Sequence, residues 1–386
     1  MRVLFALTYF TPNVSGLTIY AERLARALSD RGHEVTVLTT RHGWGQAAEE
    51  ATAGVRVVRV PALARIGKGV VRPGYAMALW RELRRCDAAV VHLPATPGEA
   101  VLLPVLARSI VRRPCVAVVH CDVQLPPGAG NRLLSAAALA SSRVATILAD
   151  RVVAYTDDYA AASPVLRRCA AKRVVIPPPV PFPPPDPVAV AALRRRWAPG
   201  GETLLAFASR LAAEKGVDVL LDALPEVRRS VGATRVLFAG ESAEVIGERS
   251  TWRRLRPRLE AEGDDWVHLG VLDARALANL FAASDVTVLP SLNRTESFGL
   301  VQVESMLSGT PVVASDLPGV RVPVETTGMG LTASPGNPAA LAAALATVVR
   351  DRATYLRPRA EVERLYSSEA TTTAYERLLE ELVAAR

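Results

Sequence analysis

Short apolar runs rich in Val, Ile and Leu alternate along this 386-residue chain with longer amphipathic stretches. A strand buried on both faces reads as a nearly continuous apolar run, so the alternation predicts βα units wound around parallel sheets. In the first half the runs are VLFALTYF, EVTVLTT, VRVVRV, AAVVHL, CVAVVH, RVVAYT and RVVIPP. In the second they are TLLAFAS, RVLFAG, WVHLG, VTVLP and PVVAS. After the first run, Ile19, Leu24, Ala27 and Leu28 recur at helical spacing and the pattern stops at Gly32. The chain therefore opens as strand, loop with Gly16, then helix, the first unit of a Rossmann-type domain.

The length exceeds one ordinary core and calls for two domains. Between them stands PPPVPFPPPDP, from Pro177 to Pro187. So many prolines continue neither sheet nor helix and form a stiff extended spacer. The reading is a Rossmann-like domain over 1–180, a second over 181–360, and, past the interruption at Pro358, a terminal helix over 361–386 that returns to the first domain. Half the residues are hydrophobic and 22% are charged, the balance of a soluble globular protein. No apolar run reaches the roughly 18–20 residues a bilayer span needs, and the apolar N-terminus reads as a buried strand rather than a signal peptide. Cys86, Cys115, Cys121 and Cys169 have neither metal-ligand nor disulfide-framework spacing, which fits reduced thiols in a cytoplasmic protein.

The net charge of +8 is uneven: residues 1–180 carry 23 Lys/Arg against 12 Asp/Glu, the remainder 23 against 26. A basic first half suits an acidic partner, such as phospholipid headgroups or a diphosphate-bearing acceptor. Nucleic acid fits less well, since no aromatic-interleaved basic motif accompanies the charge. Arg65–Arg85 mixes Arg65, Lys68, Arg72, Arg81, Arg84 and Arg85 with Tyr75, Met77, Leu79 and Trp80. Such a segment can lie on the anionic inner face of a membrane, or be a helix on the domain's flank.

Four features can carry chemistry. Glu296-Ser-Phe-Gly-Leu-Val-Gln-Val-Glu304 follows the run VTVLPS and opens a helix, so the amides around Phe298, Gly299 and Leu300 lie at a helix N-terminus. Free amides and the positive end of the helix dipole favour a phosphate there, and two carboxylates beside it suit sugar and ribose hydroxyls. Ser209-Arg-Leu-Ala-Ala-Glu-Lys-Gly216 follows TLLAFAS, and Arg210 and Lys215 on that loop can reach one diphosphate. His120 and Asp122 stand at a strand end of the first half; the His can bond a sugar or phosphate, and the Asp can orient it or meet a hydroxyl. The loop Thr11–Gly16 lacks the three glycines of the dinucleotide fingerprint, which argues against an NAD enzyme.

Together these features resemble glycosyltransferase family 4, the retaining enzymes of the GT-B fold, nearly end to end. The resemblance rests on TYFTPNVSG, Arg31-Gly-His-Glu-Val35, His120, the Arg210…Glu214-Lys215-Gly216 loop, Glu296 to Glu304 matching the E-x7-E motif, and Gly309-Thr-Pro-Val-Val313. It implies an α/β protein of two Rossmann-like domains whose parallel sheets face an interdomain cleft. It implies transfer of a hexose from a GDP- or UDP-linked sugar to a hydroxyl of a glycan, glycolipid or small molecule, with no cofactor and no metal. His120, Arg210, Lys215 and Glu296 would then serve the reacting end of the donor. Gly16, Ser209, Phe298, Gly299, Leu300 and Glu304 would hold the rest of it, Glu304 on the ribose, with Asp122 on the acceptor side. Loops 41–54 and 121–132 would recognise the acceptor. The first loop lacks the family's frequent paired glycines, and Val322 stands where a Glu is common. HCDVQLPPG and PPPV fit a subgroup acting on bacterial polysaccharide or lipid-linked glycans. A GT-B epimerase, a phosphorylase and a non-catalytic sugar-binding protein are the competing readings, and the oligomeric state is left open.

Overall fold

The computed structural model describes every residue except 44, 67, 68, 125–127, 244, 246 and 247. Lys68 and parts of the two acceptor loops thus lie outside the described residues. The chain divides into two compact units, Met1–Pro179 with Ser367–Arg386, and Val180–Tyr366. The division falls inside the proline-rich stretch, whose Pro187 opens a helix behind the capping side chain of Asp186.

The first unit is built on an eight-stranded sheet in the order β10-β9-β8-β7-β1-β2-β4-β3. Its strands are β1 (Arg2–Ala6), β2 (Glu34–Arg41), β3 (Glu49–Thr52), β4 (Val55–Pro61), β7 (Ala88–Leu93), β8 (Cys115–Val119), β9 (Arg151–Ala154) and β10 (Arg173–Val175). All neighbours pair in parallel except β3, which runs antiparallel to β4. A separate hairpin, β5 (Ala64–Ile66) with β6 (Gly69–Val71), follows β4. Helices α2 (Tyr75–Leu83), α3 (Pro97–Leu106) and α4 (Ala129–Leu148) share one core with the sheet. A short π-helical turn, Ala107–Val111, continues α3, and α5 (Asp157–Ala162) joins β9 to β10. Helix α1 (Gly16–Asp30) starts at Ser15, whose hydroxyl accepts the Thr18 amide, and buries Tyr20, Ala21, Leu24, Ala25 and Leu28.

The segment Arg65–Arg85 is therefore not a single flank helix. It is the end of a hairpin followed by α2, and Arg72, Tyr75 and Leu79 are buried. The terminal segment also differs from one continuous helix. Helix α13 (Arg359–Leu365) stays with the second unit, and only α14 (Ser368–Ala384) belongs to the first. There Glu376 bonds Arg31 at 2.9 Å and His33 at 2.8 Å, just past the end of α1.

The second unit carries six strands, all parallel, in the order β13-β12-β11-β14-β15-β16. They are β11 (Thr203–Ala208), β12 (Thr234–Ala239), β13 (Trp266–His268), β14 (Val286–Leu289), β15 (Val312–Ser315) and β16 (Gly330–Ala333). Helices α6 (Pro187–Trp197), α7 (Val217–Val231), α8 (Arg249–Ala261), α9 (Ala274–Ala283), α10 (Leu300–Leu307), α11 (Arg321–Thr327) and α12 (Pro338–Arg350) complete it. The strand order reverses between β11 and β14. In an open parallel sheet that reversal leaves a crevice outside the strand ends, where ligands bind.

A polar string runs through the core of the first unit. His92 on β7 meets His120, Nδ1 to Nε2, at 2.8 Å, and the Tyr155 hydroxyl takes Nδ1 of His120. Tyr20 stands edge-on to His120 with ring centres 4.8 Å apart, and its hydroxyl bonds that of Tyr375 on α14. Burial pushes His92 down to about 3 and, with His92 beside it, holds His120 well below the usual imidazole range. Both are neutral in the folded protein, so unfolding in acid takes up protons. Their contribution is complete above about pH 6.5 and is lost as pH falls toward the folded values, at about 1.4 kcal/mol per pH unit for each. Unfolding followed by circular dichroism should show the thermal midpoint dropping steadily from pH 7 to 5. Burial also holds His42 down to about 4, so His92→Gln should flatten that slope to about two-thirds, and a parent midpoint constant across the range would contradict neutral burial.

Candidate active site

In the second unit the loops leaving β11 and β14 flank the strand reversal and are fastened to each other. The first loop carries Ser209 and Arg210, a 3-10 turn Ala213–Lys215, and Gly216 before α7. The Leu292 amide donates to the Glu214 carbonyl at 2.9 Å. Gly216 has φ +71°, and a Cβ on it would stand 1.9 Å from the Pro290 carbonyl oxygen. No other residue permits so close an approach of the two loops.

This fastening brings Lys215 onto Glu296: Nζ lies 2.5 Å from Oε2, both side chains largely shielded from solvent. Arg210 is a third exposed, with Nη2 4.0 Å from Glu214 Oε1. Two cations and two carboxylates thus share one strand-end edge, and their formal charges cancel.

The third element is the mouth of α10. Gly299 caps it at φ +76°, a conformation costly for other residues, and an added Cβ would meet Leu289 Cδ2 at 2.5 Å. Gln302, fully buried, donates from Nε2 to the Phe298 carbonyl at 2.7 Å and the Val320 carbonyl at 2.9 Å, which locks the mouth in place. The first amides of any helix have no partner within it, so the Gly299–Leu300 end has the chemistry to accept an anion. Phe298 is buried with its ring against Tyr366, and Glu304, the fifth helical residue, is 6% exposed. The Ser209 hydroxyl donates to the Arg210 carbonyl at 3.0 Å, so it shapes the loop.

Gly16, His120 and Asp122 lie in the first unit. A Cβ on Gly16 would meet nothing within 4 Å, so the fold alone does not require glycine there. His120 is buried with both ring nitrogens engaged, by His92 and Tyr155. His92 and Tyr155 thus both help to fix the ring. Asp122 is itself buried; its Oδ1 accepts from Ser163 at 2.9 Å and its amide donates to the Tyr159 hydroxyl. Sequence reasoning missed His92, Tyr155 and Gln302, and also Glu248. Glu248 is a buried carboxylate that accepts the Ala213 amide at 3.1 Å and the Thr251 hydroxyl at 2.8 Å, holding the cationic loop from behind. Among the described residues no cluster of three or more His, Cys, Asp or Glu is arranged to hold a metal.

Two doubly wound parallel units, the second with cations and a helix mouth at its strand reversal, define a GT-B protein. Sucrose-phosphate synthase from Thermosynechococcus elongatus superposes with a TM-score of 0.81 at 21% identity over the whole of both chains. Anabaena Alr3699/HepE, solved with UDP and glucose, gives 0.78 at 20% identity over 98% of this chain and 99% of that one. The family of group 1 glycosyl transferases matches residues 202–351, and the glycosyl transferase 4-like domain matches 15–179. The chain belongs to this glycosyltransferase family. Among its relatives is a GDP-mannose-dependent alpha-mannosyltransferase of Mycolicibacterium smegmatis, 31% identical over 92% of this chain and 90% of that protein. Another is a D-inositol 3-phosphate glycosyltransferase of Kineococcus radiotolerans, 29% identical over 97% and 93%.

The two glycines at the loop positions make a matched test of this geometry. Gly216→Ala should destabilise the chain by about 2 kcal/mol in urea unfolding, whereas Gly16→Ala should change it by less than about 0.5 kcal/mol. Equal effects would contradict the close approach at Pro290.

Proposed function

We propose that the enzyme transfers a hexose, with retention of anomeric configuration, from a GDP- or UDP-linked sugar to a hydroxyl of a glycan, glycolipid or small-molecule acceptor. The observation that carries this reading is the convergence of Arg210, Lys215 and the mouth of α10 at the reversal of the second sheet. Three positive elements on one edge suit a diphosphate, and the nucleotide-sugar names and ligands of the related proteins support the same donor class. The epimerase, phosphorylase and non-catalytic readings have no residue set in their favour.

In this mechanism Arg210 offers the diphosphate a planar fork and Lys215 a compact charge. The amides of Phe298, Gly299 and Leu300 add fixed dipoles. Together they stabilise the nucleoside diphosphate as its bond to the sugar breaks, which is stabilisation concentrated in the transition state. Glu296, released from Lys215, accepts hydroxyls of the sugar, and Glu304 accepts those of the ribose. The departing phosphate oxygen assists loss of the acceptor proton on the same face of the sugar, so configuration is retained. His120, neutral and fixed by His92 and Tyr155, is assigned to the donor sugar, Asp122 to the acceptor side and Gly16 to the phosphate. Charge on the leaving group is met by side chains and amides, so we assign the reaction no metal.

Arg210→Ala and Lys215→Ala should each lower kcat/KM by about two to three orders of magnitude. Glu296→Gln should divide differently, with kcat reduced while the donor KM holds or falls, because Lys215 no longer has a competing carboxylate. Parent-like turnover in both cation variants would remove the diphosphate assignment. Transfer should persist in EDTA; a loss reversed by adding a divalent cation would contradict metal-free chemistry.

A further inference from the structure

No helix of the described residues is long and apolar enough to cross a membrane. Yet the first unit displays apolar surface unevenly. Of the thirteen large hydrophobic side chains exposed among the described residues, ten belong to this unit. Met77 and Trp80 stand on α2, Ile110 on the π-helical turn, and Leu133, Val144 and Ile147 on α4, exposed by 38% to 73%. Helices α2, α3 and α4 pack side by side on one face of the sheet, with the turn against α2 and α3. Along α4 the outward positions Leu133, Ala136, Ala140, Val144 and Ile147 follow at intervals of three and four, a continuous apolar stripe about 21 Å long. Nothing in the core of the unit uses this stripe.

The charge on the same layer has one sign. Its helices and turn contain two acids, Glu82 and Glu99, both buried and both paired, with Arg56 and Arg72 respectively. Arg81, Arg84, Arg85, Arg108, Arg112 and Arg132 are all exposed. The guanidinium of Arg84 lies over the Trp80 ring, 5.0 Å from its centre. Arg108 donates to the Leu148 carbonyl and Lys172 to the Ile147 carbonyl, so cations border the far end of the apolar stripe.

We infer that this helical layer is a peripheral docking face for an anionic lipid bilayer, with the apolar row of α4, Ile110 and α2 entering the headgroup boundary and the arginines meeting lipid phosphates. Apolar side chains ringed by cations, with no exposed acid among them, match that surface in both properties at once. Trp80 with Arg84 is an amphipathic pair suited to the interface. A second copy of the chain is a poorer occupant, because a two-fold contact through this face sets the same arginines against one another. The inference is independent of the donor chemistry and concerns where the enzyme meets its surroundings.

The full chain should co-sediment with vesicles of phosphatidylcholine and phosphatidylglycerol at 7:3, about tenfold or more better than with phosphatidylcholine alone. Added salt at about 0.5 M should weaken the binding. Leu133→Asp with Ile147→Asp, and separately Arg81→Gln with Arg84→Gln and Arg85→Gln, should each lower partition by at least about tenfold. Both variants should keep the parent's thermal midpoint and its transfer rate to a water-soluble acceptor. Absence of parent binding, equal binding to neutral vesicles, or variants that bind like the parent would overturn the inference. So would a dimer in sedimentation velocity that the same substitutions dissociate, which would assign the face to a second copy.

Discussion

The contact between Gly216 and the Pro290 carbonyl decides what the second unit can do. Two loops leave the neighbouring parallel strands β11 and β14 at the point where the strand order reverses. A residue without a side chain, in a left-handed conformation, lets them touch. With the parallel pairing of β11 and β14, this contact sets the 2.5 Å pair of Lys215 with Glu296, two residues 81 positions apart in the chain. Gln302 does the equivalent for the mouth of α10, and Glu248 for the back of the cationic loop. The chemistry thus stands on side chains that never need to touch a ligand.

The balance of charge on that edge has a functional meaning. An unpaired pair of cations would hold any anion, whereas cations already matched by carboxylates exchange partners only for a ligand that also satisfies the acids. A diphosphate joined to a polyhydroxyl sugar does both. Phosphate alone leaves Glu296 without donors. Under the proposed function, selectivity for an activated sugar over inorganic phosphate would follow from the pairing, as discrimination against partners that leave a carboxylate unsatisfied.

Much of this was legible in the sequence because parallel strands are buried on both faces and leave continuous apolar runs. Each run named from the sequence corresponds to a strand of the two large sheets, with ends shifted by a few residues. The elements that escaped are those without such a run. β3, Glu49–Thr52, is a polar edge strand, and β16, Gly330–Ala333, is short and begins with glycine. The residues from Glu296 to Glu304 were legible because an acid, a glycine and a helical pattern follow a strand. The partners of His120 were not. His92 lies 28 residues before it on another strand and Tyr155 lies 35 after it, and only the register of β7, β8 and β9 brings them together. The break between α13 and α14 is marked in the sequence only by Ser367, whose side chain caps α14 by accepting the Ala370 amide.

The measurement that bears most directly on the central claim is a crystal structure of the enzyme with its nucleoside diphosphate. The account places phosphate oxygens within hydrogen-bond reach of Arg210, Lys215 and the Gly299–Leu300 amides, with Lys215 drawn away from Glu296. A diphosphate bound elsewhere, with the Lys215–Glu296 pair still closed, would contradict it.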